Sequence, residues 1–254
     1  VPPTGFKTGR YSVIADPEVT ELDQGFVQYK YSLLTARLGR QVVAYDGHRF
    51  IGHVGWRQDR QTFDAMRIDL SPIESLNISY SYIDQRNSIF AEAADQDAKA
   101  HLLNASIATP IGKVVAYAYL LEQDIKTENS LETYGLSLSG SENVGSANVL
   151  YALEFAGQEF EMGTLRNEAE YIFAEAGLGV AGLTAKLSYE SLGSDDGGYG
   201  FSTPLATLHK FNGWADIFLN TPAVGLVATY ATLSGTLAGG NWSIVYHQFA
   251  AEEK

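Results

Sequence analysis

The chain has five histidines, no cysteine and many carboxylates, so the first question is whether any of them is spaced for chemistry. His48, His53, His101, His209 and His247 include no HExxH, the helical spacing that sets two imidazoles on one zinc ion. There is no His-x-Ser, which a barrel phospholipase would need on one strand, and no Gly-x-Ser-x-Gly elbow. Ser194-Asp195-Asp196-Gly197-Gly198 and Gly5-Phe6-Lys7-Thr8-Gly9 are turn chemistry, because neither leads from a strand into a helix as a phosphate loop must. Acids gather at Asp16, Glu18, Glu21 and Asp23, at Asp95 and Asp97, at Glu159 and Glu161, at Asp195 and Asp196, and at Glu252 and Glu253. Clustered carboxylates offer hard oxygen ligands for divalent cations, but none has calcium-loop spacing; they read as solvated loops, and no metal site is named. No motif asks for a cofactor, and no enzymatic activity is expected. What remains are cations: Arg49, Arg57 and Arg60 crowd one loop, while Lys30, Arg40, Arg67 and Lys186 lie in alternating segments shared with Glu122, Glu154 and Glu190.

The elements that must position these charges are strands. Leu76, Ile78, Tyr80 and Tyr82 alternate with Asn77, Ser79 and Ser81; Val115, Tyr117, Tyr119 and Leu121 with Ala116, Ala118 and Glu122; Val149, Tyr151, Leu153 and Phe155 with Asn148, Ala152 and Glu154. One parity is apolar and aromatic, the other small or polar, which is the period of a strand with two different surroundings. The connections alternate too. Short links at 71–74, 109–112, 141–144, 180–182 and 238–240 are interleaved with long ones near 46–61, 86–99, 123–131, 157–168 and 194–225. About twelve strands of roughly ten residues result, the reach of a tilted strand across a bilayer. Short turns on one side and long loops on the other favour an all-β, antiparallel transmembrane β-barrel whose apolar parity meets outer-membrane lipid and whose polar parity encloses a wet lumen. An aromatic girdle would set the tyrosines of the apolar parity at the membrane interfaces.

Composition sets further bounds. A hydrophobic fraction of 45% resembles that of a soluble protein, yet a barrel has the same because half of each strand is polar. No apolar run is long enough for a membrane helix. A net charge of −13 argues against nucleic acid as a partner, since phosphate binding needs a basic patch. Val1-Pro2-Pro3 is not a signal peptide, so an exported protein would have lost that segment. Residues 1–254 read as a single barrel domain. The alternation puts both ends on the long-loop side, which predicts that strands are missing at each end and that the chain is a segment of a barrel of roughly 14–18 strands; a closed twelve-stranded barrel is the fallback. The competing architecture is a soluble all-β carbohydrate-binding module, whose exposed Tyr and Trp would stack on sugar rings.

Several stretches resemble the alginate-export family of outer-membrane porins. They are Gly39-Arg40-Gln41, Asp46-Gly47-His48-Arg49-Phe50-Ile51-Gly52, Val54-Gly55-Trp56-Arg57-Gln58 and Gln61-Thr62-Phe63-Asp64, then residues 201–209 (FSTPLATLH) with Phe211-Asn212-Gly213-Trp214-Ala215-Asp216. His101-Leu102-Leu103-Asn104-Ala105-Ser106 and Tyr246-His247-Gln248-Phe249 add to the likeness. The resemblance implies a bacterial outer-membrane porin with roughly sixteen to eighteen strands that passes solutes, an anionic polysaccharide in the best-known members.

A conduit for polyanions should line its constriction with Arg and Lys. By parity Lys30, Arg67 and Lys186 point inward, with Arg37 or Arg40 depending on register, and Arg49, Arg57 and Arg60 could be brought in by a folded loop. Asp69, Glu122, Glu154, Glu175 and Glu190 share that lumen, so the cations either guide solute or pair with the acids to fix the barrel. In the long connection 194–225, Pro204 with Leu205, Leu208, Phe211 or Asn212, and Ile217 predicts a short helix over or into the pore mouth. Leu205, Leu208, His209 and Trp214 would make up this pore loop, with Trp214 as anchor; the alternative is an outward cap packed on neighbouring loops.

Overall fold

The computed structural model describes residues 18–123 and 129–253. Asp16, the glycine run at 5–9 and most of the expected loop at 123–131 lie outside the described residues. Among the described residues twelve long strands form one antiparallel sheet, each paired with its neighbour in chain order. They are β1 (Gly25–Tyr31), β2 (Leu34–Gln41), β3 (Thr62–Ile73), β4 (Leu76–Asn87), β5 (Gln96–Thr109), β6 (Gly112–Gln123), β7 (Asn129–Val144), β8 (Ala147–Met162), β9 (Leu165–Val180), β10 (Leu183–Leu192), β13 (Leu226–Leu237) and β14 (Gly240–Ala250). A small hairpin of β11 (Ser194–Asp195) and β12 (Tyr199–Gly200) interrupts the last long connection. Among the described residues β1 and β14 are the two edges of this sheet.

At one end of the sheet, adjacent strands are joined by two-residue turns. Ala181-Gly182 and Ala238-Gly239 have φ of 51° and 81°, and 52° and 80°, the left-handed pair that matches the twist of the flanking strands and that a glycine accepts without strain. At the other end are the long connections, with one departure from expectation. Residues 157–168 are not a loop: β8 runs on to Met162, turns at Gly163-Thr164 and returns as β9. That stretch looked like a loop because its outward residues are charged. Glu132, Glu159 and Glu168 lie side by side on β7, β8 and β9, separated from the apolar row of Leu136, Phe155 and Ile172 by the row of Tyr134, Gly157 and Glu170. These strands are 16 residues long, more than the roughly 9–11 that cross a bilayer, so their charged tips stand in water.

The register defines two faces. Arg37, Arg67, Ser81, Leu102 and Tyr119 form one cross-strand row, on the face where connections 42–61 and 193–225 pack; this is the inner face. The outer face exposes Leu38, Leu153, Leu187 and Ile244, an apolar surface that suits contact with lipid. On β4 and β8 the expected parity holds, with Ser81 buried inside while Phe155 is exposed outside. On β6 it is reversed: Val115, Tyr117, Tyr119 and Leu121 are buried on the inner face, and Ala116 and Glu122 are exposed on the outer one. Both parities of β6 are apolar over most of its length, so alternation alone could not choose between them. The choice is made by a loop that fills the inner side.

Candidate functional site

Connection 42–61 folds onto the inner face and makes it dry there. Val43, Tyr45, Phe50 and Ile51 are buried in a cluster with Phe63, Ile83, Leu102, Tyr117 and Tyr171 of the strands and Phe201 and Leu205 of the second long connection. Tyr45 stacks on Tyr119 with ring centroids 6.0 Å apart, and Phe50 meets Tyr117 and Tyr171 at 5.2 Å each. The inner face is therefore not wet throughout, as the alternation had suggested; its middle carries an aromatic layer.

The two inward connections hold each other through backbone. Gly52 N–H donates to Leu205 O at 2.8 Å and Thr207 N–H to His48 O at 3.1 Å. Gln61 Nε2 donates to Gly52 O at 2.6 Å. Gly52 is required by this approach, because a Cβ there would lie 2.3 Å from Thr207 Oγ1 and 2.7 Å from its nitrogen.

At the centre of this layer is an ion pair. Arg49 Nε donates to Glu190 Oε1 at 2.6 Å, and the two side chains are only 7% and 5% exposed. Tyr171 Oη donates to the same carboxylate oxygen at 2.9 Å, and the Arg49 guanidinium lies 4.7 Å from the Phe211 ring centroid. Arg49 thus ties loop 42–61 to the β10 wall and to the second loop at once. Burying two charges is worthwhile only when the geometry satisfies both, and removing one partner strands the other in a low-dielectric site.

The remaining candidate residues separate by face. Lys30, Arg67, Lys186, Glu154 and Glu190 are inward, as expected. Lys30 shares a row with Thr35 and Asp69; Arg67 bonds Asp69 at 2.8 Å; Lys186 bonds Glu175 at 2.7 Å; Glu154 accepts from Tyr117 Oη at 2.8 Å. Two expectations fail. Arg40 points outward with Asp64, which it grips with Nε at 2.8 Å and Nη2 at 3.0 Å, so Arg37 is the inward arginine of β2. Glu122 also points outward, opposite Lys99, a consequence of the reversed parity of β6.

Arg57 and Arg60 stay at the long-loop rim. Arg57 lies 4.0 Å from the Trp56 ring centroid, and Arg60 forms two bonds of 2.7 and 2.6 Å to Asp23. The Arg60 guanidinium holds the Asp23 carboxyl below the usual carboxylate range. Burial, helped by the neighbouring Arg60, keeps His53 below the ordinary imidazole range, and burial with His53 nearby does the same for His48.

The expected helix at 204–217 is a single 3-10 turn, Leu208–Lys210. Leu205 is buried, whereas Trp214 is 77% exposed, so Leu205 and Phe201 anchor this loop and Trp214 does not. Leu208 is partly buried, and His209 stacks on Trp56 at 4.1 Å while bonding Asp216 at 2.8 Å, linking the two loops.

Two inward cations escaped the sequence reading. Lys113 bonds Asp46 at 2.9 Å; it sits on β6, whose parity was read the other way. Arg86 bonds Gln61 at 2.6 Å and Gln96 at 3.5 Å and, among the described residues, has no carboxylate within 4.0 Å. A register shift on β4 after Ile83 breaks the alternation that would have placed it. Inward strand positions thus carry Lys30, Arg37, Arg67, Arg86, Lys113 and Lys186 against Asp69, Glu154, Glu175 and Glu190, on a chain whose overall charge is −13.

The alginate export family matches residues 11–188 of the chain. No curated protein sequence matches it. Among solved structures, OccAB1 of Acinetobacter baumannii is similar with a TM-score of 0.63 at 12% identity, over 87% of this chain and 59% of that one. The outer membrane protein opdK of Pseudomonas aeruginosa gives 0.62 at 12% identity, over 83% and 57%. OccK2 (OpdF) of the same organism, solved in complex with glucuronate, gives 0.58 at 12% identity, over 88% and 68%. At such identities the likeness is one of fold, that of an outer-membrane β-barrel, and the chain spans less than two-thirds of the length of the first two.

Proposed function

Because the chain belongs to the alginate export family, we propose that it supplies twelve strands of an outer-membrane channel through which small or oligomeric, saccharide-like anions diffuse, with no covalent chemistry. The carrying observation is the separation of charge between faces. Acids dominate the outer tips and loops, while the inner wall keeps more cations than carboxylates. Those carboxylates are mostly engaged by neighbouring cations, which leaves Lys30, Arg37 and Arg86 to act on a passing solute. Basic groups lining a narrow aqueous path raise the local concentration of anions and lower the barrier to their entry. Among the described residues the outer edges of β1 and β14 have no strand partner, and because lipid does not tolerate unpaired backbone groups, a working barrel must close over both.

The soluble carbohydrate-binding module is disfavoured by the broad apolar outer face, which water would not support. Planar-bilayer recording of the whole protein tests the proposal. Stepwise conductance that is blocked by uronate oligomers, and blocked less after Arg86→Gln, supports it. Block by neutral sugars alone would remove the anion-guiding role.

A further inference from the structure

A cavity of about 470 Å³ opens on the inner face beside β13 and β14, outside the dry layer built on loop 42–61. Its walls are rings: Phe211, Trp214 and Phe218 from the second loop, and Tyr230, His247 and Phe249 from the strands. The strand rings are ordered against one another, with His247 stacked on Phe249 at 5.3 Å and 7° and tilted on Tyr230 at 4.9 Å. Phe218 closes on Phe249 at 4.9 Å. Trp214 and Ile217 are 77% and 75% exposed, an apolar surface that little covers among the described residues.

The charged groups at this cavity are already engaged. Glu190 is held by Arg49 and Tyr171, and Lys210 Nζ donates to Gly47 O at 2.9 Å. Recognition therefore falls to ring faces and neutral polar atoms. Two of these lack partners among the described residues: His247 Nδ1 and Asn212 Oδ1 are buried with no hydrogen bond. The amide oxygen accepts, and the imidazole nitrogen accepts in one neutral tautomer, so the complementary ligand carries hydroxyl donors. A hydroxyl-rich ring with an apolar C–H face combines those donors with a stacking surface, and the volume falls within the range of small-ligand sites.

We propose that this cavity is a pyranose subsite of the channel, in which Trp214 stacks on the sugar ring and the hydroxyls meet His247 and Asn212. The inference rests on the channel reading and adds to it: the inner cations select charge, whereas this cavity selects the ring whatever its charge. Solutes crossing an aqueous lumen need a surface that is favourable to enter and easy to leave, and an exposed aromatic face offers such graded contact.

The whole protein is reconstituted in planar bilayers, and block is titrated with maltotriose, with a trimannuronate, and with polyethylene glycol of equal mass. The expected result is that Trp214→Ala weakens block by both sugars about tenfold, Trp214→Phe restores most of it, and block by polyethylene glycol is unmoved. Sugar block that ignores Trp214→Ala, or an equal loss with polyethylene glycol, overturns the subsite. The open-channel current in the same traces reports the channel separately: current with Trp214-independent sugar block overturns the subsite alone, and no current overturns both.

Discussion

The two inward loops meet the same sheet in opposite ways. Loop 42–61 is sealed: Val43 is fully buried, Ile51 nearly so, and Arg49 is fixed by a buried carboxylate. The distal part of the second loop, from Phe211 to Phe218, leaves Trp214 and Ile217 standing in solvent. Close packing of aromatic and aliphatic surface fixes the first loop against the sheet. The second keeps its apolar surface available. On the proposed channel reading, the first loop would set the width of the passage and the second would present a face to what passes.

The sharpest way to break this contrast is to remove one half of the buried pair. Glu190→Ala leaves the Arg49 charge uncompensated and should cost about 3–5 kcal/mol. Thermal unfolding in detergent would show it, and single channels should become noisier or wider as loop 42–61 loosens. Replacing both residues, Arg49→Met with Glu190→Leu, should recover most of that loss, because an apolar pair of similar volume is often no worse than a buried ion pair; a double variant as unstable as the single one would contradict this account.

Gly52→Ala comes next, at about 1–3 kcal/mol, since its methyl would meet Thr207 where the loops cross. Its effect should appear as faster proteolysis of both inward loops, and cleavage confined to one would show that they are not coupled.

Acid should loosen the sealed loop as well. His48 and His53 have folded pKa values below the unfolded imidazole value of 6.5, so the unfolded chain takes up protons first. Their contribution is complete above the unfolded pKa and declines as pH falls below it. Melting temperatures measured from pH 8 to 5 should drop less for His48→Gln with His53→Gln than for the parent. The smallest effect is expected at Trp214, whose replacement by Ala should change stability by less than about 0.5 kcal/mol, because it packs on little.

Much of the fold was legible in the residues. The β4 and β8 alternations, and turn signals such as Ala181-Gly182, gave the strands and their hairpins because lipid and lumen impose opposite demands on successive side chains. Three features were not, each for a local reason. The β8–β9 hairpin was hidden by outward glutamates, which are polar because that part of the strand lies beyond the apolar band. On β6 the sequence offered two apolar parities, and only the Tyr45 and Phe50 rings of a distant loop decide which turns inward. Arg40 and Arg37 differ by three positions and hence by face, and the register with Asp64 and Arg67 assigns them. Of the candidate site, the inward orientation of Lys30, Arg67, Lys186, Glu154 and Glu190 follows from parity, while that of Arg86 lies behind a register shift that no periodic pattern reveals.

Among the described residues, inward strand positions carry more cations than carboxylates while the chain as a whole has a net charge of −13. The reversal potential of the whole protein in a planar bilayer under a potassium chloride gradient reads this directly. The account predicts chloride selectivity that weakens with Arg37→Gln and Arg86→Gln; a potassium-selective channel, or selectivity unmoved by those substitutions, would contradict it.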